Sequence, residues 1–283
     1  MGIFSAYTEN LLIYIGINTI LAYSFFIPLS TGQVSGGQSA FMAIGAYLSA
    51  MMTVKFHFPF AIALPLAGLA SGVVGALVGF PALRLKGLYL VIMTLGFAEV
   101  VRVFFLNNTY FGAAYGFGGI QEETSVFNVY FVLALLIAFL FRLNRSYLGR
   151  AFEAIKENDM AAETLGVPLT RMKVFAFALG GVAAGLGGAL YAHYALFIDS
   201  NNFGFGRSIE MVIFTIFGGA QTICGPLLGA TVLTLLPEFL RVIQDWRLIF
   251  YGLIVVGLMT FRPEGVLTKG LFYRLRRKNE GAY

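Results

Sequence analysis

The scarcity of charge constrains this chain more than any other feature. Only 12% of its 283 residues are charged, 58% are hydrophobic, and the mean hydropathy is +0.81. A soluble domain carries roughly 25% charged residues, so there are too few charges here to cover a water-facing surface. The sequence therefore predicts an all-α, polytopic transmembrane helix bundle that forms a single domain over residues 1–283.

Runs of about 20 mostly apolar residues are long enough to cross a membrane as helices. The sequence predicts such segments at 11–29, 34–54, 60–80, 88–106, 126–141, 174–196, 209–217 (with an extension to 224 as an option), 226–240 and 248–261. The second segment opens on a polar, glycine-rich stretch, so we expect it to be broken or re-entrant. About eight full spans then remain.

The basic residues predict the orientation, because Lys and Arg concentrate in cytoplasmic loops. They cluster at 81–87, at 142–173 and in the tail at 262–283. The loop at 107–125 holds two glutamates and neither Lys nor Arg. We therefore expect the first three segments, including the C-terminus, to be cytoplasmic and the last to be external. The N-terminal ten residues carry too little charge to assign a side.

The densest internal run of charge, at 150–167, lies between apolar segments. Two short amphipathic helices fit it, with an apolar edge formed by Ala151, Phe152, Ile155, Ala162 and Leu165. Asn158 or Asp159 is placed to cap the second helix, and Gly166 is placed to end it. Such a hairpin suits docking into the groove of a partner protein. An ordinary solvated loop is the alternative.

The polar stretch before the second apolar run is the candidate translocation path. Irregular backbone at membrane depth is tolerated only where it is buried in protein or lines a cavity. The candidate residues are Gly32, Gln33, Ser35, Gly36, Gly37, Gln38 and Ser39. The alternative is a break that lets helices pack closely.

The remaining polar residues predict structure rather than catalysis. Glu99 and Arg102 lie three residues apart inside an apolar segment, so we expect them to pair. His193 lies between two tyrosines and is assigned to an interfacial aromatic belt. No spacing predicts a metal site, a cofactor or a nucleophile–base pair, and there is no G-x-x-x-x-G-K-[ST] phosphate loop. We therefore expect no enzymatic activity from this chain.

A series of short stretches, in order along nearly the whole chain, carries a resemblance. It comprises TGQVS at 31–35, AIGAY at 43–47, PALRLKGLY at 81–89, GRAF at 149–152, AIKEN at 154–158, AAETLG at 161–166, GGALYA at 187–192, SIE at 208–210, FGGA at 217–220, GPLLGA at 225–230 and RPEG at 262–265. Together they resemble the LivM-type permease subunits of bacterial branched-chain amino acid ABC importers.

The resemblance implies that the charged hairpin holds a coupling helix seated in a cleft of a cytoplasmic ATP-binding subunit. The candidate coupling residues are Arg150, Glu153, Glu157, Ala161, Ala162 and Gly166. Importer permeases often show Glu-Ala-Ala, three residues and then Gly in this helix. Met160 stands where that glutamate would be.

The resemblance also implies partners and a substrate. Family members work in the inner membrane with a second permease subunit, two cytoplasmic ATP-binding subunits and an external solute-binding protein, and not with nucleic acid. They import leucine, isoleucine and valine, although relatives carry other amino acids, urea or small carboxylates. An ion-coupled secondary transporter that uses Glu99, and a scaffold or receptor subunit, remain open. Asp199, Arg207 and Glu210 are predicted to dock the binding protein or to lie in a solvated loop.

Overall fold

The computed structural model describes residues 6–82 and 85–239, together with 252–253, 256–257, 260 and 265–267. The described residues form helices and no strand beyond one isolated bridge. Most of the predicted span at 248–261 and of the tail at 262–283 lies outside the described residues. The α-helices are α1 (Ala6–Leu29), α2 (Gln38–Val54), α3 (Phe60–Ala82), α4 (Leu88–Asn107), α5 (Val126–Arg145), α6 (Tyr147–Glu157), α7 (Asp159–Thr164), α8 (Leu169–Ala195), α9 (Phe205–Gly218) and α10 (Cys224–Phe239).

Five of the described helices are long and apolar enough to cross a membrane, namely α1, α3, α4, α5 and α8. Helices α2 and α10 are apolar but shorter, at 17 and 16 residues. The prediction of a membrane helix bundle is therefore confirmed. The most apolar windows of α1 and α8 are 83% and 61% buried, against 22% for α4. Helices α1 and α8 thus form the centre, and α4 lies at the periphery.

The polar stretch that opens the second predicted segment is non-helical, as expected, whereas helix α2 behind it is continuous. Helix α1 ends at Leu29 and α2 begins at Gln38, so residues 30–37 form a non-helical break. Gly32 turns the chain with φ +75°, a conformation that glycine adopts without steric cost. The suggested extension of the 209–217 segment to 224 is wrong. Helix α9 stops at Gly218 because Gly219 has φ +123°.

Small residues bring α3 and α8 together. Gly68, Gly72, Gly75 and Gly79 of α3 are buried, and a Cβ built on any of them would contact α8. Small residues four apart allow two helix backbones to approach closely in a membrane. The spacing of these glycines therefore positions α3 against α8.

The loops group into two opposite faces of the bundle. The face that carries α6 and α7, here called the hairpin face, also holds the α3–α4 connection, because Lys86 Nζ lies 3.6 Å from a carboxylate oxygen of Asp159. The other face, here called the distal face, joins the end of α2 to the loop at 107–125. There Lys55 Nζ donates a 2.6 Å hydrogen bond to the carbonyl oxygen of Tyr110. The two described segments predicted to be cytoplasmic thus share one face.

Candidate translocation and coupling site

The charged segment folds into two helices, α6 and α7, as its sequence predicts. Asn158 separates them and caps α7. Its side-chain oxygen accepts hydrogen bonds of 3.0 and 3.1 Å from the backbone N–H groups two and three residues ahead. Gly166 ends α7 with φ +81°, and the N–H groups of Gly166 and Val167 return to α7 carbonyls at 2.9 and 3.1 Å. This double return is a Schellman motif, which fixes the length of α7.

The hairpin, defined as residues 147–164 with its closing turn to 166, turns one apolar edge to the bundle. Ala151, Phe152 and Ile155 of α6 and Ala162 of α7 are buried. Leu165 is 79% exposed, so its assignment to the same edge is wrong. It caps the end of α7, beyond the regular turn that buries Ala162.

The candidate coupling residues occupy different positions on the hairpin. Arg150, Glu153, Glu157 and Ala161 are exposed. Both glutamates line a cavity of about 600 Å³ that extends from the hairpin to the end of α1 and to the α9–α10 turn. Lys173 Nζ, at the start of α8, donates a 2.8 Å hydrogen bond to Asp159. This ion pair attaches the hairpin to the central helix.

The hairpin contacts two neighbouring elements, the break and the α9–α10 turn. A Cβ built on Gly32, the first path candidate, would lie 3.8 Å from the Cα of Lys156. Lys156 Nζ donates a 3.3 Å hydrogen bond to the carbonyl oxygen of Ala220, in the α9–α10 turn. A displacement of the hairpin would therefore act directly on the break and on the turn that follows α9.

One hydrogen bond holds the break against α4, and another forms within the break. The Gly36 N–H donates to Thr94 Oγ1 at 2.9 Å, and the Gly37 N–H donates to Ser35 Oγ at 3.3 Å. A Cβ on Gly37 would lie 2.7 Å from the Thr94 carbonyl oxygen. The close approach of α4 to the break therefore explains why glycine occupies these positions. Their part in lining a path stays a prediction.

Four polar side chains of the break and the start of α2 are buried, namely Gln33, Ser35, Gln38 and Ser39. Ser39 meets α9, because Ser208 Oγ donates to Ser39 Oγ at 2.8 Å and accepts from the Ser39 N–H at 3.2 Å. Gln38 is only 1% exposed, and neither its amide oxygen nor its amide nitrogen has a hydrogen-bond partner among the described residues. Buried amides are almost always hydrogen-bonded, so Gln38 is an exception at the start of α2.

Glu99 and Arg102 form the expected ion pair near the distal end of α4. Arg102 Nε donates to Glu99 Oε1 at 2.9 Å, and Arg102 Nη1 donates to Asn201 Oδ1 at 3.0 Å. Because the guanidinium already binds the carboxylate, Glu99 is poorly suited to an independent titrating role.

The assignment of His193 to an interfacial belt is wrong, because its side chain is fully buried inside the bundle. Its Nε2 atom lies 3.1 Å from Ser49 Oγ of α2, and its Nδ1 atom lies 3.1 Å from the Gln121 carbonyl oxygen. The glycine and alanine residues that precede it in α8 were the available signal, since they allow neighbouring backbones to surround this helix.

The predicted external cluster does not form as one unit. Arg207 Nη1 donates to Glu210 at 2.6 Å and Nη2 donates to Asn18 of α1 at 2.8 Å. Asp199 instead accepts a 2.8 Å bond from Asn201. The Arg207 side chain is only 16% exposed, so the solvated-loop alternative is wrong for it.

Comparison with known proteins matches most of the chain. Residues 7–259 match the family model described as branched-chain amino acid transport system, permease component. The chain is 33% identical, over 288 aligned positions, to the high-affinity branched-chain amino acid transport system permease protein LivM of Salmonella typhimurium, and 32% identical to LivM of Escherichia coli K12. Each alignment covers 89% of this chain and 66% of the relative, just under two thirds of its length.

A shorter similarity links the chain to another named permease. It is 30% identical over 139 positions to the autoinducer 2 import system permease protein LsrC of Yersinia enterocolitica, covering 46% of this chain and 38% of that protein. No solved structure matches the chain.

Proposed function

Because this chain belongs to the family of permease components of branched-chain amino acid transport systems, we propose that it is the membrane-spanning permease subunit of an ATP-driven ABC importer. Its substrates in this proposal are leucine, isoleucine and valine. The similarity to the two LivM proteins supports this assignment. The partial similarity to LsrC favours another small solute as the alternative.

One observation carries the mechanism, namely that Lys156 of the hairpin adjoins Gly32 of the break and binds Ala220 in the α9–α10 turn. ATP is bound and hydrolysed on separate subunits, since the sequence contains no phosphate loop. Those subunits move the hairpin, and the hairpin moves the two elements that it touches. Such a coupled displacement alternates access to the path between the two sides of the membrane.

The topology that we propose takes the hairpin face as cytoplasmic, because this face carries most of the loop Lys and Arg residues. The break and α2 together cross the membrane, since Gly32 lies at the hairpin face and Lys55 at the distal face. Eight crossings, the 14-residue α9 included, then lie among the described helices, and the N-terminus is external. The predicted span at 248–261 is a ninth, one more than the eight expected from the sequence, because the second segment crosses in this topology. The N–H groups of Val266 and Leu267 donate to the end of α9 at 2.9 and 3.0 Å, which supports a cytoplasmic C-terminus.

The partners in this proposal are a second permease, two ATP-binding subunits and an external solute-binding protein. Met160 and Leu165 are 76% and 79% exposed on the hairpin. Large apolar side chains presented on a short helix suit burial in a groove of a soluble partner. This exposure supports the hairpin as the contact with the ATP-binding subunits.

Reconstitution tests the proposal. The chain, co-purified with its partner subunits in proteoliposomes, is expected to accumulate labelled leucine only when ATP is inside and the binding protein is outside. Unlabelled isoleucine and valine should compete, and the chain alone should accumulate nothing. Uptake by the lone chain along an ion gradient would overturn the proposal in favour of a secondary transporter.

A further inference from the structure

A recess opens on the distal side of the bundle, away from the hairpin. It is a cavity of about 340 Å³, lined among the described residues chiefly by Tyr14, Tyr191, Asn201, Asn202, Arg207 and Glu210. Small-molecule sites have volumes of about 300–1,000 Å³ and place a few polar groups in a mostly apolar wall. The recess has the size of such a site, and its lining is more polar than the usual one.

A fixed cation and a fixed anion stand side by side in this recess. Arg207 Nη1 and Glu210 Oε2 are 2.6 Å apart, and Asn18 accepts a second guanidinium bond at 2.8 Å. A guanidinium has five N–H donors, so donors remain for a third group. The Glu210 side chain is 50% exposed and can accept from a ligand as well as from Arg207.

The floor of the recess lies at membrane depth. Asn18 is twelve residues beyond Ala6 in α1, which corresponds to about 18 Å along the helix axis. Ser208, the neighbour of Arg207, hydrogen-bonds to Ser39 in the first turn of α2. Charged groups at membrane depth are costly, and they mark functional sites by default. The recess therefore reaches the level of the break and of the unpartnered Gln38 amide.

Aromatic rings form its apolar side. The Arg207 Cζ atom lies 6.0 Å from the centroid of the Tyr191 ring. Tyr14 packs edge-on against Tyr194 at 5.1 Å, which fixes the position of its ring. These tyrosines supply a surface for an aliphatic side chain next to the charged groups.

We propose that this recess binds the zwitterion of an α-amino acid. The carboxylate binds the Arg207 guanidinium, the ammonium binds the Glu210 carboxylate, and the aliphatic side chain packs against Tyr14 and Tyr191. The site rests on the proposed function, since its ligand is the solute that the permease carries. It places a binding step on the distal side, before the solute reaches Gln38.

Equilibrium binding tests the site. The complete complex in lipid nanodiscs, without the binding protein, is titrated with tritiated L-leucine up to millimolar concentration. Both 4-methylpentanoate, which lacks the ammonium, and 3-methylbutylamine, which lacks the carboxylate, are expected to compete at least about tenfold more weakly than leucine, because each leaves one charged group unpaired. This comparison uses the wild-type chain, so it holds even where a variant fails to fold.

Two variants test the binding roles proposed for the charged groups. Arg207→Gln and Glu210→Gln are each expected to weaken leucine binding at least about tenfold. The control is Lys55→Gln, which removes a cation from the same face outside the recess and should leave leucine binding unchanged. Size-exclusion profiles and melting temperatures identify any variant that has lost its fold.

Three results of the binding assay would overturn the inference: no saturable leucine binding, equal competition by the three compounds, or unaltered binding by both folded variants. Retained leucine binding with lost uptake in Arg207→Gln would also overturn it, in favour of a contact between Arg207 and the binding protein.

ATP-driven uptake by the wild-type complex is measured in parallel. If uptake occurs without charge-dependent binding, only the inference fails. If leucine binds but no ATP-driven uptake occurs, the proposed function fails instead.

Discussion

Replacing Gly188 by alanine is expected to lower the free energy of unfolding by about 3 kcal/mol, the upper end of the usual cost of overpacking. A Cβ on Gly188 would overlap the carbonyl oxygen of Met42, which is backbone of α2 and has no rotamer by which to move away. The α2 and α8 helices would have to separate at the centre of the bundle. The melting temperature, followed in detergent, should fall by several degrees, since 1 kcal/mol corresponds to about 2–4 °C in a chain of this size.

Gly96→Ala is the matched control. Gly96 also lies inside a helix, α4, but a Cβ built on it meets nothing within 4 Å. Alanine loses less backbone freedom than glycine, so this variant should be unchanged or more stable by up to about 1 kcal/mol. Equal melting temperatures for the two variants would contradict the α2–α8 contact described above.

Much of the fold could be predicted because lipid leaves the backbone few options. Backbone groups in a bilayer must hydrogen-bond within the chain, which makes each long apolar run a helix. The run predicted at 60–80 is α3, Phe60–Ala82, and the four-residue spacing of its glycines is visible in the sequence on the face that packs. The hairpin could also be predicted, because Asn158 and Gly166 carry local capping signals that need no distant partner.

The features that could not be predicted depend on partners far away in the sequence. Nothing near Gly188 indicates that it meets Met42. Arg207 lies in a polar stretch and looks solvated, but Asn18 of α1 and Glu210 hold it at the floor of a recess. His193 is similar, because its burial is set by α2 and by the loop at 107–125. Helix periodicity assigns a residue to a face but does not say which helix covers that face.

Leu165→Asp is expected to reduce ATP-driven leucine uptake at least about tenfold while the chain still folds and inserts. Leu165 is 79% exposed, so its replacement removes little packing within this chain. If it is buried against an ATP-binding subunit, the change loses about 1.5–3 kcal/mol of apolar burial and adds the cost of desolvating a carboxylate. Uptake by the reconstituted complex and the amount of ATP-binding subunit that co-purifies with the chain are the measurements.

Leu165→Met is the control. It shows whether the effect comes from the loss of the apolar contact or follows any substitution at this position. Methionine keeps an apolar side chain of similar volume, so uptake and co-purification should stay close to the wild-type values. Glu163→Gln changes the charge of another exposed residue of the hairpin without adding a carboxylate, and it should be milder than Leu165→Asp. Wild-type uptake by Leu165→Asp would contradict the contact. A lowered melting temperature would instead indicate that Leu165 supports the fold of the hairpin, because a side chain that only contacts a partner leaves the stability of the isolated permease unchanged.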